Sequence, residues 1–92
     1  MFYLVSFDIS DDRVRYRVVK ELKAYGYRVQ KSVFECPSMT ERKFLRLKDR
    51  LESLIDWTTD SVRYYRLCRG CLRDVEVSGL GTVPEVEDYG FV

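Results

Sequence analysis

The stretch from Phe2 to Ile9 reads FYLVSFDI and decides the fold, because it is almost continuous in apolar and aromatic residues. Such a run is typical of a central strand that is buried on both faces. Ser10-Asp11-Asp12 follows it directly and begins a helix, since small polar residues cap helices and acids are favourable at the positive end of the helix dipole. We therefore predict a strand that leads straight into a helix.

Helical periodicity continues over the next residues, where apolar side chains recur at spacings of three and four. These positions are Val14, Val18, Leu22 and Tyr25. We expect Gly26 to end this helix as a left-handed cap. The opposite, solvated face carries Arg13, Arg17 and Lys20.

Residues 27–36 (YRVQKSVFEC) are rich in β-formers and predict either one long bent strand or a tight pair of short strands, which Pro37 ends. Ser38 and Glu41 have the spacing of a capping box, so a second helix is expected to follow. Its apolar face consists of Phe44, Leu47, Leu51 and Leu54. Its outer face carries Arg42, Lys43, Arg46 and Arg50.

Two further strands are predicted over Ser61–Cys68 and Leu72–Ser78, with Arg69-Gly70 as a hairpin turn. The resulting order predicts an α+β protein with the ferredoxin-like βαββαβ pattern, helices on one face and one additional C-terminal strand. Residues 1–92 form one domain in this prediction. The tail from residue 79 carries apolar side chains among acids, and we expect it to dock at a dimer or partner interface. Those side chains are Val86, Tyr89, Phe91 and Val92.

Length and composition favour a globular chain that benefits from a partner subunit. With 92 residues and 46% hydrophobic side chains it can fold, but a core of this size is marginal. The net charge is +1, yet residues 1–50 carry twelve Lys/Arg against seven Asp/Glu, and the remainder carries four against eight. This asymmetry indicates either a basic binding surface or simply a solvated helical face.

Several classes of chemistry are excluded or disfavoured by composition. The chain has no histidine, so Ser–His and Cys–His nucleophile pairs and histidine-ligated zinc are excluded. The three cysteines argue against a disulfide framework. Neither a targeting signal nor a membrane span is expected, because the apolar opening stops at Asp8. We expect a cytoplasmic protein with reduced thiols.

Asp8 is the first candidate site residue, because a carboxylate at the end of an apolar strand requires a cation, a donor or water. The alternative is that Asp8 caps the helix that begins near Asp11. One carboxylate is a weak magnesium site, but a twofold dimer would bring two copies of Asp8 across its axis. A second candidate is a set of cations and polar donors suited to phosphate. Its members are Arg15, Arg17, Arg28, Gln30, Lys31 and Ser32.

Cys68 and Cys71 form a CxxC motif across the predicted hairpin. One chain cannot complete a four-ligand zinc site from them, because only Cys36 remains. A redox pair is conceivable, but thioredoxin-like motifs open a helix and not a hairpin turn. The open alternatives are therefore packing and a zinc ion bridged between two subunits.

Three segments give the chain a resemblance to the Cas-two family of CRISPR adaptation proteins. The opening YLVSFDIS-DD resembles the family's signature, with its aspartate at the end of the first strand. RVQKSVFE at residues 28–35 is similar to a second family motif, and SVRYYRLCRGC followed by VEVSG at residues 75–79 is similar to family members. The resemblance runs over nearly the whole chain, in order.

The resemblance implies a ferredoxin-like homodimer that joins Cas-one integrase dimers in acquiring spacers from foreign DNA. It also implies that some members are magnesium-dependent endonucleases acting on single-stranded RNA or double-stranded DNA. The family's metal ligand corresponds to Asp8, and its implicated basic and aromatic positions correspond to Arg15, Arg17, Arg28 and Phe34. Phe34 is equally well explained as core. Two main functions stay open, a nuclease and a DNA-binding scaffold without catalysis. A ligand-binding regulatory domain is a third alternative.

Overall fold

The computed structural model describes residues 1–81 and residue 83. The described strands are β1 (Phe2–Asp8), β2 (Tyr27–Gln30), β3 (Val33–Cys36) and β4 (Ser61–Leu67). The helices are α1 (Asp12–Leu22), α2 (Glu41–Leu54) and α3 (Arg69–Arg73). The strands form one antiparallel sheet in the order β2-β3-β1-β4. This arrangement confirms the predicted ferredoxin-like α+β fold and shows that residues 27–36 form two short strands.

β1 lies in the middle of the sheet, and its side chains alternate between two different environments. Tyr3, Val5 and Phe7 belong to the buried core together with residues of α1 and α2. Leu4 and Ser6 point to the opposite side and are half-buried. We name this uncovered side of the sheet the open face. The prediction of a strand buried on both faces is therefore wrong for Leu4–Asp8 of the single chain, because α1 and α2 cover only the side of Tyr3, Val5 and Phe7. Phe2, at the start of the strand, is completely buried although it shares the parity of Leu4.

α1 begins where the sequence indicates but ends earlier than expected. Asp11 is its N-cap, and one carboxylate oxygen accepts hydrogen bonds from the backbone N–H groups of Arg13 at 2.8 Å and Val14 at 3.3 Å. The helix ends at Leu22, and Lys23 caps it in a right-handed conformation. Gly26 has no positive φ, so the predicted left-handed cap is wrong. Glycine stands there because the chain passes close to the backbone of β3.

α2 is capped by Thr40, whose hydroxyl accepts a hydrogen bond from the backbone N–H of Lys43 at 3.1 Å. The predicted capping box, which placed the cap at Ser38, is wrong. The reason is a backbone pairing just before the helix: Met39 N–H donates to the Met1 carbonyl at 2.9 Å. That pairing and the burial of Met39 hold the chain in place beside the start of β1. The apolar face of α2 packs on the core as predicted.

The predicted hairpin at Arg69-Gly70 and the strand over Leu72–Ser78 are wrong. The chain turns instead into the short helix α3, and no residue from 74 to 81 is in a strand. Leu72 is only 2% exposed, and its backbone N–H donates to the Cys68 carbonyl at 3.0 Å. Burying Leu72 through a helical turn replaces the alternation that a strand would require. The predicted apolar tail lies mostly beyond the described residues.

No helix among the described residues combines the length and the apolar character that crossing a membrane requires.

Candidate metal site and nucleic-acid interface

Asp8 is the last residue of β1, and its side chain is exposed. Side chains alternate between the two faces of a strand, so Asp8 lies on the same face as Leu4 and Ser6, which is the open face. Among the described residues its carboxylate makes no hydrogen bond or ion pair. The alternative interpretation, that Asp8 caps α1, is wrong because Asp11 does so. The carboxylate is therefore free to accept a cation.

The turn between β2 and β3 forms one side of the surroundings of Asp8. The backbone N–H of Phe7 donates to the Ser32 carbonyl at 3.0 Å, which fixes this turn next to the end of β1. A cavity of about 420 Å³ lies there, and Asp8, Arg15, Lys31 and Ser32 are among its lining residues. The structure thus brings together three of the predicted polar residues beside the predicted carboxylate.

β4 forms the other side. Asp8 pairs with Ser61 and Ser6 pairs with Arg63 in the β1–β4 ladder. Asp8, Ser61, Arg63 and the neighbouring Tyr65 line a second, smaller cavity of about 260 Å³. A hydrogen bond with Tyr65 raises the pKa of Arg63, which remains a cation. Ser61 and Arg63 were not predicted as site residues, although their alternate spacing in the strand was the available signal.

Arg15 makes two contacts at the edge of the first cavity. Its Nη1 donates to the Ile9 carbonyl at 2.9 Å, and its Nη2 forms an ion pair with Asp12. The side chain is about one-third exposed. Arg15 therefore contributes a positioned positive charge near Asp8, and part of its hydrogen-bonding capacity is already used within the chain.

Arg28 makes its hydrogen bonds within the β2–β3 turn. Its Nε donates to the Lys31 carbonyl at 3.0 Å, and its Nη2 contacts the same oxygen. The ladder between β2 and β3 is irregular between Arg28 and Gln30, which is where the guanidinium reaches across. Lys31 and Gln30 are exposed. The observed role of Arg28 is to shape the turn that presents Lys31, and not to stand free on the surface.

The outer face of α1 carries a second, separate group of cations. Arg13, Arg17 and Lys20 are exposed there, and Tyr16 beside them is 69% exposed. Arg17 makes no ion pair or hydrogen bond within the described residues. We name Arg13, Arg17 and Lys20 the α1 cation group. Arg15 and Arg17, which the sequence analysis grouped together, therefore lie on different surfaces, as a helical rotation of about 100° per residue requires.

Phe34 is completely buried and packs near Phe7, with ring centroids 6.4 Å apart. The aromatic contact with nucleic acid that was considered for Phe34 has no exposed ring to use in this chain. The alternative, that Phe34 belongs to the core, describes its position.

The described residues contain no cluster of three or more Asp, Glu, Cys or His side chains that could hold a metal ion. Asp8 is thus a single carboxylate flanked by cations. Together with the fold, this defines a ferredoxin-like α+β protein with one free acid at the end of its first strand and an exposed cationic helix.

Comparisons with known proteins agree with that class and identify the family. A family model described as CRISPR associated protein Cas2 matches residues 1–75. The chain belongs to this Cas2 family, which confirms the resemblance inferred from the sequence. It is 44% identical over 86 residues to a Chloroflexus aurantiacus protein named CRISPR-associated endoribonuclease Cas2 1, covering 92% of this chain and 91% of that one.

Solved structures give the same result. Cas2 of Streptococcus pyogenes is 40% identical, with a TM-score of 0.77 that covers 86% of this chain and all of the other. A chain in a partial Cas6-RT-Cas1–Cas2 complex is 25% identical, with a TM-score of 0.73 over 95% of this chain and 97% of the other.

Proposed function

We propose that this chain works in CRISPR adaptation, as a nucleic-acid-binding homodimer that joins the Cas1 integrase in acquiring spacers. Membership of the Cas2 family and the likeness to a chain of a complex that contains Cas1 support this role. The observation that carries the proposal is the α1 cation group. Arg17 is exposed and engaged by no acid of the described chain, so its guanidinium is available to a phosphate.

The exposed apolar side chains of the open face support the homodimer in this proposal. This face is lined by Leu4 and Tyr65 from the sheet and by Val77 and Leu80 from the segment after α3, around a cavity of about 630 Å³. Tyr65 is 45% exposed and Leu80 is fully exposed, which is costly for side chains of this kind. A second copy packed on the open face would bury them. It would also bring two copies of Asp8 to one interface.

Phosphodiester cleavage is a second function that Asp8 favours, and relatives of this chain carry the names endoribonuclease and endonuclease. A free, exposed carboxylate is a suitable ligand for Mg²⁺, which binds one or two carboxylates together with waters and substrate phosphates. One chain supplies one such group, so the residues fit the ion best when two copies of Asp8 share it. When bound, the ion would supply positive charge to the phosphodiester and make water more acidic.

The other residues near Asp8 would act on the phosphate. Lys31 and Arg63 lie on opposite sides of the carboxylate and would neutralise charge that develops on the phosphate oxygens. Arg15 would contribute positive charge at the cavity edge, where its guanidinium contacts the Ile9 carbonyl and Asp12. No base sequence is read by such contacts, so single-stranded RNA and double-stranded DNA are both admissible substrates.

The test is a reconstituted integration assay with the cognate Cas1, using Asp8→Asn, Arg17→Ala and, as a matched control, Arg46→Ala on the outer face of α2. We expect Arg17→Ala to reduce integration and Arg46→Ala to leave it nearly normal. Asp8→Asn should integrate normally, yet lose any magnesium-dependent cleavage in a separate nuclease assay.

Two results would contradict the proposal. If Arg46→Ala impaired integration as much as Arg17→Ala, integration would depend on the total positive charge of the protein and not on the α1 cation group. Loss of integration in Asp8→Asn, with dimerisation and duplex affinity unchanged, would show that the Asp8 site and not the scaffold performs the essential step.

A further inference from the structure

Cys68 and Cys71 are in contact on the protein surface. Their Sγ atoms lie 3.2 Å apart, and both side chains are exposed. The Cys68 Sγ also accepts a hydrogen bond from the backbone N–H of Cys71 at 3.3 Å. A disulfide requires a sulfur separation of about 2.05 Å, so the two atoms need to approach by only about 1 Å.

The backbone around the two thiols holds them in this arrangement. The buried side chain of Leu72 anchors the turn, and the Leu72 N–H donates to the Cys68 carbonyl at 3.0 Å. Cys68 directly follows β4 and is the N-cap of α3, and Cys71 lies within that helix, so the pair spans the junction between the sheet and α3. The predicted hairpin was the reason against a redox role for these two cysteines. The chain forms α3 there instead, so that reason no longer applies.

We propose that Cys68 and Cys71 form a reversible thiol–disulfide site that exchanges with small-molecule disulfides such as oxidised glutathione. This inference is independent of the proposed function in CRISPR adaptation, because it uses neither Asp8 nor the cationic surfaces.

The exchange proceeds in two balanced steps. The Cys68 thiolate attacks one sulfur of the small disulfide, which breaks that S–S bond, forms a mixed disulfide and releases one small thiolate that takes up a proton. The Cys71 thiolate then attacks the Cys68 sulfur, which breaks the mixed disulfide, forms the Cys68–Cys71 bond and releases the second small thiolate, which also takes up a proton. Two protein thiols are oxidised by two electrons, and one small disulfide is reduced to two thiols.

The order of the steps follows from the local hydrogen bonds. The backbone N–H and the thiol of Cys71 hold the pKa of Cys68 below its ordinary value. The same contact raises the pKa of Cys71. Cys68 is therefore the thiol that is more readily ionised and attacks first, and Cys71 is the resolving thiol.

Cys36 provides an internal control within the same chain. It is completely buried, and burial raises the pKa of its thiol to about 11. A reagent that acts on the folded protein should modify Cys68 and Cys71 and leave Cys36 unmodified.

The experiment incubates the full reduced chain in glutathione buffers of increasing oxidised fraction, followed by alkylation and peptide mass spectrometry. We expect an intrachain Cys68–Cys71 link that increases with the oxidised fraction, disappears on return to reduced glutathione, and leaves Cys36 as a thiol. Cys71→Ser should accumulate a mixed disulfide with glutathione on Cys68. Cys68→Ser should form no intrachain link.

Three results would overturn the proposal. The first is that both thiols stay reduced in oxidised glutathione alone. The second is that the links form only between chains. The third is that zinc copurifies and blocks alkylation until a chelator removes it, which would assign the pair to a metal bridge between subunits. The wild-type measurement decides the matter even if a serine variant does not fold.

Discussion

Gly26 lies against the backbone of Glu35 so closely that a Cβ added to it would stand 2.1 Å from the Glu35 carbonyl oxygen. The contacted atoms belong to β3 and not to a flexible side chain, so the added carbon cannot be accommodated by a rotamer change. The link from α1 to β2 can therefore cross β3 at this distance only because residue 26 has no side chain.

Gly26→Ala should lower the free energy of unfolding by roughly 3 kcal/mol, at the upper end for overpacking, because β3 or the α1–β2 link must shift. Gly70→Ala is the matched control: its Cβ would have only Cys68 Sγ nearby, at 3.9 Å, and it lies within α3. That variant should be neutral or slightly stabilising, since alanine favours helix. Chemical denaturation of both variants checks this, and equal stability of the two would contradict the steric argument.

Tyr64 has a buried hydroxyl with no hydrogen-bond partner among the described residues. Leaving such a group unsatisfied costs about 1–3 kcal/mol. Tyr64→Phe keeps the edge-on ring contact with Phe44 and removes the hydroxyl, so it should raise stability by about 1 kcal/mol, allowing for partial hydration of this half-buried side chain. Thermal denaturation is the measurement, and a less stable Tyr64→Phe protein would reveal a partner for the hydroxyl.

The same residue predicts how stability depends on alkaline pH. Burial raises the pKa of Tyr64 from 10.0 to about 12. The unfolded chain then releases its phenolic proton at lower pH than the folded chain, so stability is retained below pH 10.0 and falls between 10.0 and about 12. Tyr64→Phe should flatten the stability profile in this interval. An unchanged slope would show that Tyr64 titrates normally in the folded protein.

The open face should be the self-association surface. Leu4→Glu places a charge in the middle of this face and should shift the chain towards monomer, because a carboxylate there would be desolvated by a second copy. Leu45→Glu is the control, since Leu45 is 56% exposed on α2, away from the open face. Light scattering at micromolar concentration distinguishes the two. Dimers of unchanged affinity in Leu4→Glu would place the interface elsewhere.

Binding of duplex DNA should depend on the α1 cation group without regard to base sequence. Arg17→Ala should weaken binding to unrelated duplexes to a similar extent and make the salt dependence shallower by about one phosphate contact. Arg28→Ala should act differently, through the β2–β3 turn that its guanidinium holds. Titrations at several salt concentrations measure both effects, and a strong preference for one duplex sequence would contradict the expectation.

Much of the fold could be predicted because local and tertiary preferences agree there. The apolar run of β1, the stop at Pro37 and the spacing of Leu47 and Leu51 each indicate the element that forms. The errors occur where a distant contact decides. Residue 26 must be glycine because the backbone of Glu35 in β3 leaves no room for a side chain. The start of α2 is moved by the backbone pairing of Met39 with Met1. Neither contact leaves a local pattern in the sequence.

The residues of the candidate site also include some that the sequence could predict and some that only the fold brings together. Asp8 could be predicted from its place at the end of an apolar strand, but Arg63 is brought beside it only by the pairing of β1 with β4. The separation of Arg15 from Arg17 followed from helical geometry alone and was missed because the two were grouped by residue type. The α3 turn was missed because Val75 and Val77 alternate as strand residues do. Leu72 is out of step with them, and its burial is not visible in that pattern.

The alternation of side chains between the two faces of β1 also constrains how relatives of this chain can vary in length. Inserting or deleting a single residue between Phe2 and Asp8 would exchange the two faces of the strand for every position on one side of the change. Asp8 would then turn towards the helices, or Val5 and Phe7 would turn away from them. Length changes in this lineage should therefore accumulate in the loops and the C-terminal segment, while the first strand changes by substitution only.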